Sequence, residues 1–103
     1  MTQADGLDRA LVLLSLQRAL WDAVTPELRA VSVGWSGGRI DTTFVYDSPI
    51  SSEMVELVGV VEAEMLADFP SGTETRFDLV HIPRTEDRRD AAREWWAYLR
   101  REA

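Results

Sequence analysis

The chain has 103 residues and no cysteine, which predicts one small domain, residues 1–103, without disulfides, thiolate metal sites or cysteine-based catalysis. Its hydrophobic content of 46% argues against disorder, and its net charge of −7 argues against binding to nucleic acid, whose phosphates it would repel. A basic partner is the natural complement, although excess acid also keeps proteins soluble. The apolar run at residues 11–16 is too short for a membrane span, and the lack of cysteine fits a cytoplasmic protein.

The first predicted element is a helix over residues 7–24, ended by Pro26. It follows residues 1–6, which are small and polar and which we expect to be frayed. The helix contains good helix formers and no internal glycine or proline. One broad face is apolar on a helical wheel, and we expect it to be buried. The members of this face are Leu7, Ala10, Leu13, Leu14, Gln17, Leu20, Trp21 and Val24.

Two strands joined by a glycine turn follow, at residues 29–35 and 39–47. Gly37 and Gly38 can adopt the positive φ that short hairpin turns require. Large side chains alternate with small or polar ones in both strands, which predicts one covered face and one that meets water. The covered face carries Val31, Val33, Trp35, Ile40, Thr42, Phe44 and Tyr46.

A second helix is predicted over residues 52–68, with Ser51 as its N-cap. Its apolar stripe consists of Met54, Leu57, Val58, Val61 and Met65. Gly59 weakens the helix by about 1 kcal/mol relative to alanine, and we interpret it as a point of close approach to the sheet. Proline and glycine at residues 70–72 end the helix, and a third strand follows at residues 73–82.

The last segment, residues 91–102, is ambiguous between helix and strand. Its composition favours a helix, but Trp96 and Tyr98 alternate with Ala97 and Leu99 as in a strand. We predict a strand at residues 95–100. The predicted fold is therefore α+β, in the order α-β-β-α-β-β, with a four-stranded antiparallel sheet and two helices packed on one face.

No residue pattern indicates catalysis, a cofactor or a metal. His81 is the only histidine, which excludes a two-histidine metal site within one chain. No serine lies in a Gly-x-Ser-x-Gly elbow, and no EF-hand spacing is present. We therefore predict that the protein is not an enzyme. A carboxylate site around Asp47 and His81 is the enzymatic alternative.

The four tryptophans are unusual for a chain of this length. Trp21 and Trp35 are predicted to lie in the core. Trp95 and Trp96 are adjacent, so on a strand they point to opposite faces, and one of them needs a cover. Because tryptophan is enriched at interface hot spots, self-association as a homodimer through these residues and the first helix is an alternative function.

Five segments, read in order, resemble a known family. They are residues 14–20 (LSLQRAL), 25–31 (TPELRAV), 44–47 (FVYD), 62–70 (EAEMLADFP) and 98–102 (YLRRE). This succession resembles the small bacterial immunity proteins of contact-dependent growth inhibition and related polymorphic toxin systems. The resemblance implies a non-enzymatic inhibitor that binds and neutralises a cognate toxin domain, often a nuclease. It also favours a strand for the closing Tyr-Leu-Arg segment.

The acidic balance agrees with binding to a basic toxin, since complementary charge speeds association. From charge and placement, we predict that Asp41 and Asp47 contact the partner from the open sheet face. Glu53 and Glu56 would do so from the start of the second helix, and Trp96 is the candidate interface aromatic.

Overall fold

A computed structural model describes residues 7–102, and its element order agrees with the prediction. The elements are α1 (Arg9–Ala19), β1 (Leu28–Ser36), β2 (Arg39–Tyr46), α2 (Ser52–Leu66), β3 (Glu74–His81), a short 3-10 helix (Arg88–Ala91) and β4 (Trp95–Leu99). The ambiguous last segment is thus a strand. The prediction for residues 1–6 lies outside the described residues.

The four strands form one mixed sheet in the order β3-β2-β1-β4. β1 is antiparallel to β2 and to β4, whereas β2 and β3 are parallel. The predicted all-antiparallel sheet is therefore wrong at β3. The physical reason is that α2 returns the chain along the whole length of the sheet, so that β3 starts at the same end as β2. The hairpin glycines behave as predicted, with φ of 59° at Gly37 and 80° at Gly38.

The main core lies on one side of the sheet and receives buried side chains from both helices. β1 and β2 contribute Val31, Val33, Ile40, Phe44 and Tyr46 to it, and α2 contributes Met54, Val58, Val61 and Met65. The predicted stripe of α2 is thereby confirmed at these four positions. Ser51 caps α2 as predicted, because its Oγ accepts the backbone N–H of Met54 at 3.2 Å.

The buried face of the first helix agrees only in part with the prediction, since Leu7 and Leu20 are buried and Leu13 packs against the main core. The helix buries Val12, Ser15, Leu16 and Ala19, whereas Leu14, Gln17, Trp21 and Val24 are exposed. The prediction that Trp21 lies in the core is wrong, since this residue is 74% exposed. Both faces of α1 are apolar, so the wheel alone did not distinguish them. Ser15 can be buried because its hydroxyl donates to Asp68 Oδ2 at 2.7 Å.

A smaller core lies on the other side of the sheet, which was predicted to meet water. Ala30, Val45 and Ile82 are buried there, and Trp96 packs against them. Residues 82–94 connect β3 to β4 at opposite edges of the sheet and bring Ala91 onto this cluster. This connection explains why Thr43 and Val45 are buried.

Candidate partner-binding surface

Asp47, a predicted partner contact, is engaged inside the molecule. Arg100 Nη1 donates to Asp47 Oδ2 and to the carbonyl of Pro26, both at 2.8 Å. The same guanidinium donates through Nη2 to Glu102 Oε2 at 2.9 Å. Arg29, which is buried, completes the network by donating to both oxygens of Glu102. Asp47 therefore helps to hold the chain end in place.

The hydrogen bonds from Arg29 are the main reason why the pKa of Glu102 falls to about 2. Sequence reasoning missed both residues. Arg29 lies in the first strand and Glu102 near the end of the chain, and no local pattern connects residues so far apart. In the structure, Arg29 stands out because it is a buried arginine at the start of β1, and arginine is seldom buried.

Asp41 and Trp96 lie on the side of the sheet opposite to the helices. The Asp41 side chain is only 14% exposed, and its Oδ1 lies 3.1 Å from Arg39 Nε. Trp96 is half-buried against Ala30 and Val45, whereas Trp95 packs against the main core. The two tryptophans thus point to opposite faces, as predicted. The guanidinium of Arg9 lies 4.8 Å from the ring centroid of Trp95, a cation–π contact.

The outer face of α2 carries carboxylates without partners. The helix contains four glutamates and no basic residue. Glu62 accepts a hydrogen bond from Thr75 Oγ1 at 2.6 Å. Glu53, Glu56 and Glu64 are exposed, and none of their carboxylates forms a hydrogen bond or an ion pair within residues 7–102. We call these three residues the acidic face. Their charges are uncompensated and available to a partner.

An apolar patch lies on α1 and the turn that follows it. Leu11, Leu14 and Trp21 are exposed by 56%, 51% and 74%, respectively, and we call these three residues the apolar patch. Arg18 lies between Leu14 and Trp21 in sequence, at helical spacing from both. Sequence reasoning missed this patch because it assigned Leu14 and Trp21 to the core.

The apolar patch adjoins the acidic helix. Arg18 Nη2 lies 3.3 Å from Asp68 Oδ2, just beyond the end of α2. A shallow pocket of about 220 Å³ between the two helices is lined by Ser15, Arg18, Ala19, Glu64 and Asp68. Leu14 on α1 and Trp21 in the following turn flank Arg18 in sequence, so exposed apolar side chains lie on the segment that neighbours the acidic α2. Exposed apolar and charged side chains both occur in protein interfaces.

The five predicted contact residues therefore do not form one surface. Glu53 and Glu56 are exposed on α2, Asp41 and Trp96 lie across the sheet, and Asp47 is engaged by Arg100. Asp41 and Asp47 are also about 20 Å apart along the chain direction of β2, given a rise of roughly 3.4 Å per residue. Of the five, only Glu53 and Glu56 are fully exposed, and neither side chain has a partner among the described residues.

The other side of the sheet has a cleft of about 420 Å³, lined by residues of β2, β3 and the 90–93 segment. Two of its three charged residues are paired with each other, because Arg93 donates to Asp78 Oδ2 at 2.8 Å, and Arg93 also donates to Thr43 Oγ1 at 2.9 Å. Among the described residues, no group of three or more acidic or histidine side chains is arranged to hold a metal. No helix within residues 7–102 is both long and apolar enough to cross a lipid bilayer.

Comparison with known proteins identifies one family. The family model described as MafI2 immunity protein matches residues 9–102, which is almost the whole chain. The match includes both helices and all four strands, and with them the acidic face and the apolar patch. No curated protein matches the chain significantly.

Proposed function

The chain belongs to the MafI2 immunity protein family, and on this premise we propose that it binds and neutralises a cognate toxin domain through the outer surface of its two helices. Binding is stoichiometric and involves no catalysis. The observation that carries the proposal is the acidic face, three exposed carboxylates on one helix without partners among the described residues. The inhibitor acts in the cytoplasm, where the toxin would find its target.

The acidic face favours a basic toxin. Uncompensated carboxylates attract a positively charged partner over several ångströms and repel acidic ones. A nuclease domain, which must bind phosphates, presents such a basic surface. Glu53 lies in the first turn of α2, where its charge is favourable to the helix itself, so the acidic face costs the fold little.

The apolar patch supplies binding energy that charge alone would not. Burial of exposed apolar surface contributes about 25 cal/mol per Å², whereas exposed ion pairs contribute at most about 1 kcal/mol. Trp21 is the most exposed of the large hydrophobic residues in the described chain. Tryptophan dominates interface hot spots, so we assign Trp21 as the anchor and the glutamates as steering groups.

A growth assay tests immunity. The toxin domain encoded beside this protein would be expressed with and without it, and rescue of growth is expected. The Glu53→Arg/Glu56→Arg variant should fold normally but lose rescue, since it reverses the charge of the acidic face. Isothermal titration with the purified toxin domain would show the same loss in binding.

The matched control is Asp90→Arg/Glu94→Arg, which makes the same charge change at exposed positions outside the helical layer. This variant should retain rescue and affinity. Failure of the wild-type protein to rescue would overturn the proposed function. Rescue with unchanged affinity in the Glu53→Arg/Glu56→Arg variant would instead overturn the proposed surface.

A further inference from the structure

The outer edge of β3 carries unpaired backbone groups. β3 is the terminal strand on its side of the sheet, and within the described chain it pairs only with β2. Glu74 N donates to Gly38 O, and Ile82 N donates to Tyr46 O. The even-numbered residues from 74 to 82 therefore direct their backbone N–H and C=O groups towards β2. The residues that alternate with these turn their N–H and C=O groups outwards. They are Thr75, Phe77, Leu79 and His81.

This edge carries charged side chains, at Glu74, Arg76 and Asp78, but lacks other features by which proteins usually block strand addition. Its eight residues contain no proline and no lysine, and their register with β2 is uninterrupted. Phe77 and Leu79 pack against the main core but remain partly exposed. A further strand at this position would bind the free backbone groups and cover both side chains.

An apolar flank of α2 lies above the same edge. The hydrogen bond from Thr75 to Glu62 places the Glu62 side of the helix over β3. Val55, Gly59 and Leu66 share that side, at helical spacing of four and seven residues. Val55 and Leu66 are 53% and 39% exposed. A side chain at Gly59 would meet nothing within 4 Å, so the predicted approach of the sheet to this glycine is wrong.

A second copy of the chain fits both features at once. Antiparallel pairing of two β3 strands about a two-fold axis places the two α2 helices on the same side of a continuous sheet. The two flanks then face each other across the axis. Gly59, which costs an isolated helix about 1 kcal/mol relative to alanine, permits the close approach of two helices.

The charges of β3 favour the register centred on Phe77 over the two registers next to it. With Phe77 opposite Phe77, each Arg76 lies opposite Asp78 of the other copy, which gives two attractive pairs. Moving the axis to Asp78 places two aspartates opposite each other, and moving it to Arg76 places two arginines opposite each other. Like charges at directly opposed positions are destabilising.

We propose that the protein forms a homodimer in which β3 pairs antiparallel with β3 of a second copy, centred on Phe77, while the flanks of α2 meet across the two-fold axis. Glu64 lies on the other side of α2, where it lines the interhelical pocket, and Glu53 shares that side of the helix at a spacing of eleven residues. The dimer therefore leaves Glu53, Glu64 and the apolar patch free, whereas Glu56 lies between the two sides of α2, three residues from Gly59. This inference does not depend on the toxin.

Sedimentation equilibrium of the purified chain tests the proposal. Wild-type protein should approach twice the chain mass of 11.6 kDa as concentration rises. Arg76→Asp should weaken dimerisation by about tenfold or more, because it turns two attractive pairs into repulsive ones. Arg39→Asp, a charge reversal at an exposed position on β2, is the matched control and should dimerise normally.

A charge-swap experiment identifies the register. Asp78→Arg alone should also dimerise more weakly than the wild type, whereas a mixture of Arg76→Asp and Asp78→Arg chains should form heterodimers, since every opposed pair is then attractive. Because Asp78 also binds Arg93, the fold of this variant should be checked by circular dichroism. If it does not fold, Gly59→Leu takes its place: it should lose dimerisation, whereas its control Ala10→Leu, at an exposed position on α1, should keep it.

Two results would overturn the proposal. One is a wild-type protein that remains monomeric over the whole accessible concentration range. The other is a dimer that neither Arg76→Asp nor Gly59→Leu weakens, as expected if association used Trp96 or the apolar patch. Toxin titrations with Arg76→Asp separate the two proposals, since this variant should retain full affinity for the toxin.

Discussion

Arg29 and Glu102 form a bidentate ion pair, with Nε–Oε2 and Nη2–Oε1 distances of 2.9 Å and 3.0 Å. The Arg29 side chain is only 3% exposed. Its Nη1 also donates to the carbonyls of Ile82, Pro83 and Glu86, at 2.9, 2.9 and 3.1 Å. One guanidinium thus joins β1, the segment after β3 and the end of the chain.

Removal of the Glu102 carboxylate should destabilise the protein strongly. Glu102→Ala leaves a buried guanidinium without its counter-ion, and the loss of one partner of a buried pair costs about 3–5 kcal/mol. Because Glu102 is 15% exposed, we expect the lower end of this range. Denaturant unfolding measures the change. The neighbouring exposed residue supplies the control: Arg101→Ala should alter the free energy of unfolding by less than about 0.5 kcal/mol. Equal effects of the two variants would contradict the assigned role.

The same pair should make stability depend on pH in the acid range. The pKa of Glu102 is about 2 in the folded protein, below its usual value of 4.5, because Arg29 donates hydrogen bonds to the carboxylate. The unfolded chain therefore binds the proton first, and the stabilisation is present above pH 4.5 and is lost as pH falls towards 2. The difference in free energy of unfolding between wild type and Glu102→Gln should shrink over this interval. A difference that stays constant would refute the linkage.

The hydroxyl of Tyr46 should contribute nothing favourable to stability. It is buried and has no hydrogen-bond partner among the described residues, and burial raises its pKa to about 12. Since a buried unpaired polar group costs roughly 1–3 kcal/mol, Tyr46→Phe should leave stability unchanged or raise it by about 1 kcal/mol. Thermal unfolding would detect this gain. Tyr46→Leu should be destabilising, because it removes the stacking on Phe44, whose ring centroid lies 6.5 Å away. A destabilised phenylalanine variant would indicate a hidden partner for the hydroxyl.

Trp21 should matter for binding and not for folding. The side chain is 74% exposed, so Trp21→Ser should leave the free energy of unfolding nearly unchanged. Affinity for the toxin should fall by about 2 kcal/mol, or roughly thirtyfold, if Trp21 is the anchor of the proposed surface. Isothermal titration measures this loss. The control is Leu99→Ser, since Leu99 is also an exposed hydrophobic residue but lies on β4, away from the proposed surface. This variant should bind normally. Equal affinities of both variants would remove Trp21 from the interface.

Most local structure could be predicted because short-range patterns encode it. The alternation in β1 and β2, the glycine turn and the stripe of α2 each follow from neighbouring residues, and the structure places these elements within two residues of their predicted ends. Glu53 and Glu56 were predicted to face a partner, and the structure leaves both exposed and unpaired. The buried face of α1 could be predicted only in part, because apolar residues occur on both sides of this helix and its neighbours decide which side is buried.

The sequence by itself determined the element order and the acidic character of α2, since these depend on residues close together in the chain or on composition. The tertiary structure decided the parallel pairing of β3, the exposure of Trp21 and the pairing of Arg29 with Glu102. Each of these depends on which distant segments come into contact. Burial, strand direction and ion pairing are properties of such contacts, and no short stretch of residues specifies them.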